Sequence, residues 1–131
     1  MGASDAGSFD NDDAADWVVE LAEADDTSIL EEAFSRITDD EDYVEAPDCS
    51  IAIAAAEVVA ALCQHPAAEL PEEVAEFVAR FAAAPSPDLV SSALRSIKRI
   101  RTNSELKGLW DDSQNPTEWY QAVAELEARL K

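Results

Sequence analysis

The sequence is poor in glycine, cysteine and histidine, and each shortage excludes a class of site. Its three glycines are Gly2, Gly7 and Gly108, so it has no GxGxxG motif and no phosphate-binding loop. The two cysteines, Cys49 and Cys63, lie on one predicted helix and are about 21 Å apart, too far for a disulfide. No CxxC or HxxxH spacing accompanies them, and the chain has one histidine. A zinc site is therefore not predicted.

Long apolar runs are also missing. No run approaches the roughly 18 to 20 residues of a membrane span, and the N-terminal residues lack the basic start and apolar stretch of a signal peptide. Met1-Gly2 resembles a myristoylation start, but Ala6 stands where that motif requires Ser or Thr. We therefore expect a cytoplasmic protein that contacts no membrane.

Basic residues are scarce beside the acids. The 131 residues include 29 Asp and Glu but only 9 Lys and Arg, a formal net charge of −20. A magnitude of about 2 to 8 is enough for solubility. Such a surface repels the phosphates of nucleic acids and anionic membranes, so nucleic acid is excluded as a partner.

The two signs of charge are also separated along the chain. Residues 1–48 contain 17 acids and one base, whereas five of the nine bases lie in a short segment: Arg95, Lys98, Arg99, Arg101 and Lys107. One interpretation is a dipolar surface whose acidic end recruits a basic partner. The other is that the basic helix packs beside the acidic segment within the same molecule.

Apolar residues recur at helical spacing through most of the chain, and no segment alternates for long enough to predict a strand. Caps and prolines mark the predicted helices, which run from about 11 to 24, 28 to 38, 49 to 64, 71 to 81, 87 to 103, 106 to 110 and 116 to 130. The sequence therefore predicts one all-α domain over residues 1–131, a compact antiparallel bundle of six to seven helices.

The predicted central helix, residues 49–64, carries one charge, Glu57, and is apolar all round, which is typical of a helix enclosed by others. Asp48 is its expected cap. Because Ala46 precedes proline, we expect it to avoid helical geometry and place residues 39–47 in an acidic loop, pinned by Tyr43 and Val44.

Caps and apolar stripes give further expectations. Ser28 with Glu31 fits a capping box, and Ser86 precedes a proline at the first helical position. The side chains expected to face inward are Trp17, Val18, Leu21, Ile29, Leu30, Ala33, Phe34, Ile37, Val74, Phe77, Val78, Phe81, Val90, Ala93, Leu94, Ile97, Ile100 or Arg101, Leu106, Leu109, Trp110, Trp119, Val123, Leu126 and Leu130.

No motif in the sequence predicts catalysis or a metal site. The acidic cluster Asp10, Asp12, Asp13 and Asp16 suggests calcium, but an EF-hand needs glycine where Ala15 stands and glutamate where Leu21 stands. Helix capping and a solvated face explain the cluster. His65 has no nucleophile motif beside it and suits a helix C-terminus. We therefore expect neither an enzyme nor a cofactor.

Five segments occur in the order found in one known family: MGA at 1–3, FDNDDAADW at 9–17, EAPDCS at 45–50, AAAEVVAAL at 54–62 and NSELKGLW at 103–110. Together they resemble the bacterial DUF4259 family, a domain of unknown function. Members begin Met-Gly-Ala-Trp-Gly, whereas this chain has Ser4 and Asp5. The resemblance implies a bacterial, cytoplasmic, helical protein and no particular activity. Its motif residues also fit core aromatics, a loop closure and a helix cap: Trp17, Glu45, Pro47, Asp48, Trp110 and Trp119.

Three functions are compatible with these features. The expected one is a non-enzymatic module that binds a basic protein, in the manner of an immunity protein or a DNA mimic. Its expected contact residues are Asp12, Asp13, Asp16, Asp39, Asp40, Asp42 and Glu45. The second is a structural or housekeeping domain whose acidity serves solubility or salt adaptation. The third is a metal-dependent enzyme that uses the acidic loop at 39–48.

Overall fold

The computed structural model describes residues 12–39, 44–66, 70–81, 85–114 and 116–131. Over these residues the chain forms seven helices and no strand, which confirms the predicted all-α class. The helices are α1 (Asp12–Ala22), α2 (Ser28–Thr38), α3 (Ala46–Leu62), α4 (Glu72–Arg80), α5 (Pro87–Thr102), α6 (Glu105–Asp111) and α7 (Pro116–Leu130).

Helix α3 lies at the centre and contacts each of the other six helices. Thirteen of its 17 residues are buried, and Glu57 is the only charged one among them. This confirms the prediction of an apolar helix enclosed by its neighbours. The outer helices pair across it: α1 packs against α4, while α5 packs against α2 and α7. Among the described residues, none of the helices combines the length and the apolar character that a membrane span requires.

The predicted ends of α3 are wrong by a few residues. The helix begins at Ala46 rather than after Asp48, and Pro47 lies in its first turn, where a missing N–H costs no hydrogen bond. The Ala46 N–H donates to Glu105 Oε1 of α6 at 2.8 Å, so a distant side chain caps the helix. The expected loop at 39–47 therefore ends at Glu45, while Val44 is fully buried, as predicted.

The other end of α3 also differs from the prediction. The helix ends at Leu62 rather than residue 64, because Gln64 takes a left-handed backbone with φ 70°. The His65 N–H then donates back to the Ala60 carbonyl at 2.8 Å and satisfies a helix-end acceptor. Cys49 and Cys63, near opposite ends of the helix, are free thiols.

Two predicted caps have different outcomes. Ser86 accepts from the Leu89 N–H at 3.2 Å and caps α5, as predicted. The capping box of Ser28 and Glu31 is wrong, because the α2 N-cap Thr27 makes no side-chain cap bond. Instead Asp26 Oδ1 accepts from the Ser28 N–H at 3.0 Å and from its hydroxyl at 2.6 Å. Asp26, which precedes the helix, therefore makes the bond to the Ser28 N–H that was predicted for Glu31.

The inward stripes of α1, α2 and α7 are buried almost entirely as predicted. In α5 the buried set is shifted: Leu89 and Ser96 lie inside, whereas Val90 and Leu94 are half-buried. Ser96 tolerates burial because its hydroxyl donates to the Phe34 carbonyl at 3.5 Å.

The inward assignment of Leu109 on α6 is wrong, since this side chain is 57% exposed. Helix α6 is only seven residues long and has no buried residue. It covers the core through half-buried Leu106 and Trp110. Leu106 and Trp110, one turn apart, share the side of α6 that meets the core, and Leu109 between them lies on the side that meets solvent.

Candidate functional site

The α1 acidic face is defined by Asp12, Asp16, Val19 and Glu20 of α1 together with Glu23 directly after it, which are all exposed. Their spacing of three and four residues places them on one side of the helix, opposite the buried stripe. Helix α1 contains no base, and every ion pair among the described residues lies outside it. The carboxylates of this face therefore meet solvent without an ion-pair partner among the described residues.

The predicted contact residues fall into two groups. Asp12, Asp13 and Asp16 are exposed in the first part of α1. Asp39 and Glu45 are exposed at the end of α2 and the start of α3. In the described residues no hydrogen bond or ion pair links the groups.

Several other residues singled out by the sequence lie outside the described part of the chain. They are Asp10, Asp40, Asp42 and Tyr43. For the residues that are described, no group of three or more His, Cys, Asp or Glu side chains is arranged to hold a metal ion. The candidate site is therefore built from exposed carboxylates on α1 and beside the α2–α3 connection.

The basic segment does pack beside part of the acidic segment, because α5 contacts α2. Its described ion pair, however, joins Arg101 to Glu127 of α7 at 3.3 Å. Lys107 of α6 pairs with Asp111 of the same helix at 2.6 Å. The acidic segment has its own weak pair, Arg36 with Asp48, at 4.0 Å. The basic cluster therefore leaves the acids of α1 unneutralised.

A buried ion pair connects α3 to α7, and the sequence did not predict it. Glu57 has a 6% exposed side chain, and its two carboxylate oxygens accept from Arg129 Nη1 at 2.8 Å and Nη2 at 3.0 Å. Hydrogen bonds to Glu57 are the largest cause that raises the pKa of the Arg129 guanidinium. A lone charge on an apolar helix signalled that a partner was required, but not which base supplies it.

The same arginine, Arg129, also forms a hydrogen bond to the chain segment that follows α3. Arg129 Nε donates to Glu125 at 2.7 Å, and its Nη1 also donates to the His65 carbonyl at 3.2 Å. The His65 ring lies beside the Arg129 carbonyl, with Nδ1 at 2.9 Å from the oxygen. The only histidine of the chain therefore contacts a helix C-terminus, although that helix is α7 rather than α3. Its role in this arrangement is structural.

Two of the segments that resemble the family meet at the start of α3. The Glu105 N–H donates to the Val44 carbonyl at 2.9 Å, while its carboxylate caps α3 through Ala46. Ser104 accepts from the Lys107 N–H at 3.1 Å and caps α6. The segments at 45–50 and 103–110 thus have a structural role, as the junction of α3 and α6.

Burial at this junction affects Cys49, whose side chain has no exposed surface. Burial raises the pKa of the Cys49 thiol to about 11, from an ordinary value of 9.0. Cys49 Sγ lies 3.9 Å from the Val44 carbonyl, within reach of a weak hydrogen bond. A protonated, inaccessible thiol of this kind is inert as a nucleophile.

Aromatic side chains join α6 to α7. Trp110 and Trp119 stack with centroids 6.3 Å apart and planes 8° apart, and Tyr120 meets Trp119 edge-on at 5.0 Å. The Tyr120 hydroxyl donates to Asp111 at 2.8 Å. Trp119 is buried and Trp110 half-buried. These motif tryptophans, together with buried Trp17, therefore pack the fold.

Comparison with known proteins adds one finding. A family model described as a domain of unknown function (DUF4259) matches residues 2–122 of the chain. No curated protein and no solved structure matches it.

Proposed function

Since the chain belongs to the DUF4259 family, whose function is unknown, we propose from its surface that it is a non-enzymatic module that binds a basic protein. The observation that carries the proposal is the α1 acidic face, whose carboxylates are exposed and lie outside every ion pair of the described residues. Unpaired surface charge of one sign attracts a partner of the opposite sign and raises its association rate.

The distribution of charge supports binding over solubility alone. If acidity served only solubility, acids and bases would be mixed over the surface. Here the described ion pairs of α5, α6 and α7 join their bases to acids of α3, α6 and α7, and none includes an acid of α1. The α1 acidic face is therefore left without a base in these pairs. A partner with a surface rich in Lys and Arg, such as a toxin or a nucleic-acid enzyme, complements it.

Two polar side chains that could serve catalysis already have contacts within the fold, which supports a binding role instead. Buried Glu57 is held by Arg129, and the ring of exposed His65 contacts a backbone carbonyl. A general base or nucleophile needs a free position beside a reacting group. None of these side chains presents one.

The proposal is tested with two variants that each remove five negative charges. The face variant neutralises the four carboxylates of the α1 acidic face and Asp13 beside them: Asp12→Asn, Asp13→Asn, Asp16→Asn, Glu20→Gln and Glu23→Gln. The control variant neutralises five exposed acids elsewhere: Glu31→Gln, Glu32→Gln, Asp88→Asn, Asp112→Asn and Glu118→Gln. Each immobilised protein captures partners from lysate of the source cells, and bound proteins are eluted with rising salt.

We expect a basic protein to be retained by the wild type and the control and to elute as salt screens the contact. Its affinity for the face variant should fall about tenfold or more, measured by calorimetry on the purified partner. Equal affinity for the two variants would show that net charge alone governs binding. Failure to retain any basic protein, together with a melting temperature that rises steeply toward molar salt, would favour salt adaptation instead.

A further inference from the structure

Helix α6 is attached to the molecule with little buried surface. It contacts α3, α5 and α7, but none of its seven residues is buried, whereas each of the other six helices has at least two buried residues. Its apolar contacts come from half-buried Leu106 and from Trp110, which stacks on Trp119. A segment with few buried apolar contacts opens at a lower free-energy cost than the whole fold.

Gly108, in the middle of α6, weakens the helix itself. Glycine is less favourable than alanine inside a helix, because its backbone loses more conformational freedom on folding. The packing does not require glycine here, since a Cβ added at Gly108 would meet no heavy atom within 4 Å and its φ is not positive. Alanine would fit at this position, so the glycine lowers the stability of α6 with no gain in packing.

The polar contacts of α6 lie at its two ends. At its start, the Glu105 carboxylate accepts from the Ala46 N–H at 2.8 Å. At its end, Asp111 accepts from Lys107 Nζ at 2.6 Å and from the Tyr120 hydroxyl at 2.8 Å. The bonds to Asp111 are exposed, and bonds of this kind contribute little net free energy because water replaces them.

The start of α6 encloses the thiol of Cys49, whose side chain has no exposed surface. Cys49 Sγ lies 3.9 Å from the Val44 carbonyl, which also accepts from the Glu105 N–H. Burial raises the pKa of the Cys49 thiol, and hydrogen bonding with the Ser104 side chain and the Leu106 backbone opposes that rise. These groups at the sulfur belong to the start of α6, so α6 must move before water reaches the thiol.

We infer that α6 is a lid that opens while the rest of the molecule stays folded, and that its opening exposes the Cys49 thiol. Extended backbone at Asn103 and Ser104 supplies the hinge to α5. With the lid closed the thiol is enclosed and unreactive, and with the lid open it reacts as an exposed cysteine does. The stability of α6, rather than that of the whole fold, then sets how often this thiol is accessible.

The test measures how fast Cys49 reacts with dithiobis(nitrobenzoate) in the 131-residue chain carrying Cys63→Ala, so that one thiol reports. The Cys49 thiolate attacks the disulfide of the reagent, forms a mixed disulfide and releases one coloured thionitrobenzoate. When opening and closing are fast relative to labelling, the rate relative to that of the chain in urea gives the open fraction.

Urea denaturation of the same protein gives the fraction that is globally unfolded in water. We expect the open fraction to exceed the unfolded fraction by about tenfold or more, because opening α6 exposes less surface than unfolding does. The substitution Gly108→Ala should slow labelling about fivefold, the effect of replacing a helical glycine by alanine.

The matched control is Val74→Ala on α4. Val74 is fully buried, and α4 packs against α1 and α3, so its truncation destabilises the fold without altering α6. We expect Val74→Ala to lower the urea midpoint and to leave the labelling rate unchanged. Circular dichroism verifies that both variants keep their helix content.

Three results would each overturn the inference. An open fraction equal to the unfolded fraction would mean that the thiol is reached only by global unfolding. The same conclusion would follow if Val74→Ala accelerated labelling by the factor by which it raises the unfolded fraction. An unchanged rate in Gly108→Ala would mean that the thiol is exposed by movement of another part of the chain.

Discussion

The carboxylate of Glu57 and those of α1 show two opposite uses of the same group. Glu57 is buried in the central helix, and both of its oxygens are bonded to Arg129. Asp16, Glu20 and Glu23 are exposed on α1, outside every ion pair of the described residues. A buried charge without a partner is strongly destabilising, whereas an exposed one is solvated and costs little. Position thus separates the acid that holds the fold together from those that remain solvated at the surface.

For the buried ion pair, the largest loss of stability is expected from the substitution Arg129→Met. The substitution leaves the Glu57 carboxylate in the core with one of its partners removed, so we expect the free energy of unfolding to fall by about 3 to 5 kcal/mol. Urea denaturation monitored by circular dichroism measures the change.

The double variant Glu57→Met with Arg129→Met is the matched control. It removes both charges, so stability should recover most of the loss, because an apolar pair of similar volume replaces the ion pair. If the double variant is as unstable as the single one, packing of the arginine stem rather than an uncompensated charge explains the effect.

Cys49 sharpens the comparison with a second buried ionisable group. Burial raises the pKa of its thiol to about 11 in the folded protein, against 9.0 ordinarily. The unfolded thiol ionises first as the pH rises, so this group stabilises the fold below pH 9 and loses that contribution between pH 9 and pH 11. We expect a loss on the order of 2 kcal/mol over this window.

Urea denaturation across that pH window should therefore show a steeper fall for the wild type than for Cys49→Ala. Cys63→Ala is the control, because Cys63 is only half-buried and its removal keeps the steep fall due to Cys49. Parallel pH profiles for the wild type and Cys49→Ala would show that water reaches the thiol in the folded state.

Much of the fold could be predicted because it depends on local signals. The apolar character of residues 49–64 predicted an enclosed helix, and apolar spacing identified the inner faces of α1, α2 and α7. The start of α3 was missed because its cap, Glu105, lies 59 residues away. No local rule links such a pair. The shift in α5 was missed because Ser96 is a core residue only through its bond to the Phe34 carbonyl.

The candidate site was predictable to a lesser extent. Sequence identified Asp12, Asp13 and Asp16 as acidic, and the structure leaves them exposed. It gave no indication of a groove between α1 and α4, lined by Ala22, Ala79 and Arg80 among others, because these residues meet only when the two helices pack together. The sequence also did not predict that Val19, unlike Val18, is exposed. Charge is visible along the chain, but the shape that a partner contacts depends on tertiary packing.

The smallest effect on stability is expected from changes to the exposed carboxylates beside and on α1. A variant with Asp16→Asn, Glu20→Gln and Glu23→Gln removes three exposed charges that repel one another, so its melting temperature should equal or slightly exceed that of the wild type at low salt. Added salt screens the same repulsion. Raising the salt concentration should therefore stabilise the wild type more than the variant, as thermal denaturation at two salt concentrations would show. A marked loss of stability in the variant would mean that α1 uses these carboxylates to hold the fold, and the contrast with Glu57 would fail.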